Sequence, residues 1–218
     1  MTHEGDVSVH RVVTDADFIG VVSVLDAIYR KEKGWVLDAE GQAPASDRER
    51  DDVSWFLASV EGAPVGVLRV LYTPPIEQYA KYQFRRINPK FSIKAYLRDK
   101  KFVEIGRFAV TQEYRARFTV ATALMQAATH EIVDRGFTHL LTDVFEDDPH
   151  SPYGFHTRIM GFHPVATHDR GELRSTSRRI TLVLDLKAAY KRLKSRGGRL
   201  FRLLTRNWDV AAHRRMAV

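Results

Sequence analysis

The stretch Phe102-Val103-Glu104-Ile105-Gly106-Arg107-Phe108-Ala109-Val110, followed by Thr111-Gln112-Glu113-Tyr114-Arg115-Ala116-Arg117 and an apolar run from Phe118, decides how this chain reads. A segment so rich in Phe, Val and Ile predicts a strand, and the polar turn behind it opens onto a helix over residues 118–135 that Gly136 stops. A buried strand seldom holds charge without a reason. This one holds an acid, Glu104, and a base, Arg107. Three positions apart, they face opposite ways on a strictly alternating strand. Either a bulge brings both to one side, or each serves its own face.

Working outward, residues 7–13 alternate like a strand. Thr14, with Asp17 three positions on, resembles a capping box with Asp in place of Glu, and it opens a helix reaching about Gly34. Residues 35–51 form a polar loop, and residues 53–60 and 65–72 a hairpin across Glu61-Gly62-Ala63-Pro64. Residues 73–101, with Pro74-Pro75, aromatics and many basic residues, predict an excursion with a short helix; so long a connection is often functional. Beyond Gly136, residues 139–145 predict a strand, 151–160 a helix and 178–186 a strand. Helices after the first, fourth and fifth strands indicate an α/β fold with helices on both faces of the sheet.

Composition fits one sizeable core. A chain of 218 residues with 44% hydrophobic content suits a single domain better than two. It has no cysteine, which removes disulfides, thiolate zinc sites and a cysteine nucleophile. The first residues lack the pattern of a signal peptide, and no apolar run approaches the roughly 18 residues of a membrane span, so a soluble cytoplasmic protein is expected. The cluster Asp143, Glu146, Asp147, Asp148 and His150 sits where acids cap helices, and no metal site is expected there.

The charge is uneven. From Lys187 onward ten basic residues face one acid, Asp209, a net of +9 in a chain whose total is +7, so the remainder is close to neutral. Tyr190, Leu193, Leu200, Phe201, Leu203, Leu204 and Trp208 interleave with these charges, and Gly197-Gly198 interrupts them, which predicts two short amphipathic helices. The expected organisation is a catalytic domain over residues 1–186 and a basic extension over residues 187–218. Such an extension either meets an acidic partner or an anionic membrane, peripherally, or packs on the body as structural helices. Its apolar residues speak against nucleic acid.

Strand, basic turn and helix start together offer a place for a thioester-bearing phosphopantetheine arm, which makes acyl transfer the first expectation. Glu104-Ile105-Gly106-Arg107-Phe108-Ala109-Val110 resembles the Glu-x-Ser-Arg-Phe-x-Val strand of acyl-homoserine-lactone synthases and related N-acyl amino acid synthases, within the GNAT superfamily of N-acyltransferases. Tyr29-Arg30-Lys31-Glu32-Lys33-Gly34-Trp35 resembles the end of their first helix, the hairpin over residues 56–69 their second and third strands, and residues 153–162, ending Met160-Gly161-Phe162, their last helix and its exit. The resemblance spans roughly residues 7–186. It implies a mixed, mainly antiparallel GNAT sheet in which the fourth and fifth strands splay to admit the acyl thioester.

It also implies roles. Glu104 would accept the amine proton and Arg107 would fix its charge or an acceptor carboxylate; a structural ion pair of Glu104 with Arg107 or Arg69 is the alternative. Phe108, Ala109 and Val110 would meet the pantetheine arm through their backbone. Arg115, Arg117, Phe118 and Thr119 would meet its phosphate. Acetyl-CoA enzymes of the superfamily place glycines at this turn so that amides close on the pyrophosphate, but here Phe118 and Val120 stand in those positions. That departure favours acyl carrier protein, or an acyl-CoA held without a tight nucleotide nest, over acetyl-CoA. Tyr29, Trp35, Asp51 and Arg69 would line the acceptor site for a small amine, with Asp47 and Asp52 competing for the place of Asp51, and Leu25 standing where the family has an arginine. Thr157 holds the position of the family's thiolate-protonating tyrosine, which leaves Tyr153 and His156 as substitutes. Against acyl transfer stand two other readings: ordinary acetyl-CoA-dependent transfer to a small amine, and an inactive module that binds through its basic tail.

Overall fold

A computed structural model describes residues 6–74, 81–90, 92–98, 100–116 and 118–217. The first helix, α1 (Asp15–Leu25), starts where it does because Thr14 Oγ1 accepts from the Asp17 amide at 3.1 Å while Asp17 Oδ2 accepts from the Thr14 amide at 2.9 Å. Two orphan donors of the first turn are satisfied reciprocally. Partial burial pushes the Asp17 carboxyl up, but the amides of Val13 and Thr14 outweigh it and hold the group far below the usual range. The helix then widens into a π-helical segment, Asp26–Glu32, with the Lys33 amide bonded to Ile28 O at 2.9 Å and the Trp35 amide to Tyr29 O at 2.7 Å. Such widened turns are frequent at functional sites.

Eight strands follow the order β1-β2-β3-β5-β6-β8-β7-β4 in one mostly antiparallel sheet. They are β1 (Val7–Arg11), β2 (Val53–Val60), β3 (Ala63–Tyr72), β4 (Arg85–Arg86), β5 (Phe102–Val110), β6 (His139–Phe145), β7 (His163–His168) and β8 (Arg179–Asp185). The remaining helices are α2 (Ile93–Arg98), α3 (Gln112–Arg115), α4 (Phe118–Asp134), α5 (Leu186–Arg196), α6 (Arg199–Leu204) and α7 (Val210–Ala217). Contacts divide the chain into two compact units. One combines Met1–Leu71, Ile105–Glu131 and Arg202–Asn207; the other combines Tyr72–Glu104, Ile132–Phe201 and Trp208–Val218.

In the first unit every residue of β2 is buried, as a strand covered on both faces requires. On one face α1 comes close: a Cβ added at Gly20 would lie 2.8 Å from Leu57 Cδ2 and 3.2 Å from Pro64 Cγ. On the other, a Cβ at Gly66 would lie 2.9 Å from Val120 Cγ1 and 3.1 Å from Leu124 Cδ1 of α4. A register shift between Ala58 and Ser59 lets Pro64 and Gly66, two positions apart, face opposite ways.

In the second unit β6 runs antiparallel to β8 from His139↔Asp185 to Phe145↔Arg179, and β5 joins β6 in parallel at Phe102↔His139, Val103↔Leu140 and Glu104↔Leu141. Phe102, Leu141, Val165, Ala166 and Val183 form a core cluster on which Tyr82, Phe84 and Tyr96 pack.

Three expectations need correction here. Residues 151–160 do not form one regular helix; the segment is helical only from Tyr153 and widens into a π-helical turn, Phe155–Met160, that ends on Gly161 at φ 89°. Strand β7 was not anticipated, because Pro164 and two flanking histidines hide its alternation. The tail holds three helices instead of two: α5 ends on left-handed Gly197, and α7 is capped by Asp209, whose Oδ1 accepts from the Ala212 amide at 2.6 Å. Leu186, Ala189, Tyr190, Leu204, Ala212 and Met216 are buried, while Leu200 and Leu203 are half-buried.

Candidate active site

The first unit holds the π-helical segment, the loop after it, β2, most of β3 and the part of β5 from Ile105 on, and with them most of the residues expected from the sequence at the acceptor. Tyr29 is 5% exposed, and the Trp35 ring meets it edge-on with centroids 5.2 Å apart. Burial pushes the Tyr29 phenol above its ordinary value, while the positive charges of Arg107 and Arg69 pull the other way. Arg69 and Arg107 thus act on the same buried hydroxyl. Arg69 lies opposite Trp55 in the β2/β3 register, its guanidinium 6.0 Å from the indole centre, within cation–π range. The indole of Trp55 donates to Asp47 Oδ2 at 2.9 Å, and Asp47 also pairs with Arg50 at 3.2 Å.

Of the three acids that compete in the loop, Asp47 is the buried one, 5% exposed, whereas Asp51 and Asp52 lie at the surface. Asp47 and Trp55 are therefore linked to Arg69 through the indole. Trp55 was missed because an aromatic inside a strand reads as core.

Arg107 explains how β5 handles its two charges. Its φ is +49°, a left-handed conformation in the middle of a strand, which costs a non-glycine residue about 1–2 kcal/mol. The strand alternates through Val103 and Ile105, both buried, and is broken at Arg107. An irregularity of the kind that re-aims a side chain is present where the acid and base fall three apart. Glu104 itself is half-buried.

Farther along β5, Ala109 is buried while Phe108 and Val110 are half-buried. The Val110 carbonyl accepts from Arg115 Nε at 3.3 Å and Nη2 at 3.2 Å, and the same guanidinium grips Glu32 with both oxygens at 2.8 Å. Arg115 thus ties the strand end to the π-helical segment. Arg117 lies outside the described residues. Phe118 and Thr119 are exposed at the start of α4, and Val120 is fully buried against Gly66.

In the second unit Tyr153 is half-buried and its carbonyl accepts from Thr157 Oγ1 at 2.8 Å. His156 is 1% exposed between Phe155 and Phe162, whose rings stand 5.7 and 4.9 Å from its own. Burial lowers its pKa to about 4, so it is neutral near pH 7. A sealed, neutral imidazole is poorly placed to give up protons to a ligand.

Among the described residues no group of three or more His, Asp or Glu is arranged to hold a metal ion, and no helix is long and apolar enough to cross a membrane.

A comparison with curated proteins finds no significant match. Among solved structures, the chain is similar to FeeM, an N-acyl amino acid synthase from uncultured soil microbes, with TM-score 0.63 and 13% identity over 91% of this chain and 100% of that one. It is similar to a ribosomal-protein-alanine N-acetyltransferase from Brucella melitensis, with TM-score 0.57 and 16% identity over 82% and 99%. It is also similar to aminoglycoside 6'-acetyltransferase type Ii, with TM-score 0.53 and 14% identity over 83% and 96%. At such identities the likeness concerns the fold. The family model described as the acetyltransferase (GNAT) family matches residues 22–162, and the chain therefore belongs to the GNAT family of acyltransferases, which use acyl-CoA as co-substrate and act on small amines.

Proposed function

We propose that this acyltransferase moves a medium or long acyl group from the phosphopantetheine thioester of acyl carrier protein, or from acyl-CoA, to a small amine that carries a carboxylate, such as an amino acid or a derivative. The observation that carries this reading is the placement of Arg69 against Trp55 and of the buried Tyr29 against Trp35, with the positive charges of Arg69 and Arg107 both felt at the Tyr29 phenol. Guanidinium groups recognise carboxylates through planar, charge-assisted hydrogen bonds. The likeness to FeeM, an N-acyl amino acid synthase, supports the same acceptor class.

In the proposed step the amine nitrogen attacks the thioester carbonyl carbon. The C–N bond forms, the C–S bond breaks, one N–H proton passes to Glu104 directly or through water, and the departing thiolate takes a proton from Tyr153. Backbone groups of Phe108, Ala109 and Val110 pair with the pantetheine amides. The phosphate contact falls to Arg117 with Phe118 and Thr119, because Arg115 is engaged by Glu32. The buried Val120 supports a donor that makes little use of a nucleotide nest. The match to an acetyltransferase family model favours acetyl-CoA as the alternative donor.

We also retain residues 187–218 as a basic extension of a domain over residues 1–186. The exposed Lys191, Lys194, Arg196 and Arg199 would draw in acidic carrier protein, or an anionic membrane, mainly by raising the encounter rate. The test of the acceptor assignment compares an amino acid, its methyl ester and its decarboxylated amine as acceptors. The reading predicts that removing the carboxylate raises KM at least about tenfold in the native enzyme, and that Arg69→Met and Arg107→Met erase the difference. Equal use of all three would refute a carboxylate-bearing acceptor.

A further inference from the structure

Within the second unit, one side chain of the tail meets the end of the π-helical turn. Arg192, on α5, donates through Nη2 to the carbonyls of Ile159, at 3.3 Å, and Met160. These are among the last carbonyls of the π-helical turn Phe155–Met160, where intrahelical donors run out. Gly161 follows in a left-handed conformation, φ +89°, and its amide and that of Phe162 both bond to His156 O, at 2.8 and 2.9 Å. A Cβ at Gly161 would overlap the guanidinium of Arg192. Absence of a side chain at Gly161 is therefore what lets Arg192 cap the turn.

We infer that Arg192 is a positioning residue for the segment from Tyr153 to Met160, so that the C-terminal helix α5 is part of the machinery serving the departing thiolate. This rests on the proposed role of Tyr153. Arg192 Nη2 alone donates to two successive carbonyls, its N–H groups held in the guanidinium plane, which fixes the end of a turn only six residues long. Without it the turn rewinds toward a regular helix or frays, and Tyr153, directly upstream, loses its fixed direction. The neighbouring His156 stays packed between Phe155 and Phe162, so the segment shifts without the core opening.

The experiment uses the full chain and the variants Arg192→Ala and Arg192→Lys. With an alkyl acyl-pantetheine donor, Arg192→Ala should lower kcat between roughly 10- and 100-fold, the cost of misplacing a group by about an ångström, with the KM for the amine unchanged. Arg192→Lys, which keeps the charge and N–H donors but lacks the planar guanidinium, should recover part of it. With an aryl thioester, whose thiolate leaves without needing a proton, the loss should largely vanish. Equal losses with both donors would reduce Arg192 to a structural contact and overturn the inference.

Amide hydrogen exchange provides the second arm and does not depend on turnover. It should quicken over residues 153–162 in Arg192→Ala, with residues 118–134 unchanged. Unaltered exchange at 153–162, or loosening throughout, would also overturn the inference. A native enzyme inactive on every thioester would remove the proposed reaction, and the exchange result alone would then decide whether Arg192 positions the turn.

Discussion

Arg115 and Glu32, 83 positions apart in sequence, form a two-pronged ion pair with both N–O distances at 2.8 Å and both side chains largely shielded, at 19% and 27% exposure. The hydrogen bonds from Arg115 hold the Glu32 carboxyl below its ordinary range, against the partial burial that pushes it up. Because the guanidinium also caps Val110 O, the pair fastens the π-helical segment Asp26–Glu32 to the end of β5.

Arg115→Ala and Glu32→Ala should each destabilise the fold by about 1–2 kcal/mol, between exposed and buried pairs. The double variant should cost less than the sum of the two. Urea unfolding of the three variants measures this; strict additivity would show that the pair is not coupled.

Gly66 and Val120 form a complementary contact. Gly66→Ala forces a Cβ to within 2.9 Å of Val120 Cγ1 and should cost about 1–3 kcal/mol, as overpacking does. Val120→Ala added to it should restore part of the stability. Thermal unfolding that finds Gly66→Ala neutral would place the α4 helix farther from β3 than described.

His156 gives the fold a defined response to acid. Its folded-state pKa of about 4 lies below the ordinary 6.5, so the unfolded chain binds the proton more readily. Its contribution is complete above the ordinary value and declines as pH falls from there toward the folded value. Between about pH 7 and about pH 5 the loss should approach 2 kcal/mol. His156→Leu should flatten that part of the stability profile. An unchanged profile would mean that the ring is hydrated.

Glu104→Gln should leave the fold intact and lower turnover on the order of 100-fold, the lower range for loss of a general base. Circular dichroism and steady-state rates together check this. Unchanged turnover removes Glu104 from the mechanism; loss of folding makes it a structural ion-pair partner.

Much of the fold was legible because the signals were local. Thr14 and Asp17 marked the start of α1, Gly136 follows the end of α4 at φ +77°, and strand β6 coincides with the expected residues 139–145. The site was legible in its residue types and less so in its wiring. The hairpin closing Val60 on Ala63 and Ser59 on Pro64 would by itself set Trp55 opposite Leu68, yet the bulge at Ala58/Ser59 sets it opposite Arg69. That one-residue shift decides which side chain stacks on the indole. Sequence could not choose among Asp47, Asp51 and Asp52, since only the folded loop shows that Trp55 donates to Asp47. Nor could it foresee that Arg115 would find Glu32, because the pair depends on a π-helical turn no periodicity announces. The irregularity in β5 was one of two alternatives in sequence; Arg107 at φ +49° is where the alternation breaks.

The most direct measurement is product mass after incubating the protein with amino acids and matched donors: long-chain acyl-pantetheine, long-chain acyl carrier protein, long-chain acyl-CoA and acetyl-CoA. The account predicts an N-acyl amino acid from the long-chain donors, with acyl-pantetheine reacting about as well as acyl-CoA. Acetylated product alone, formed only from acetyl-CoA and strongly inhibited by free CoA, would contradict it.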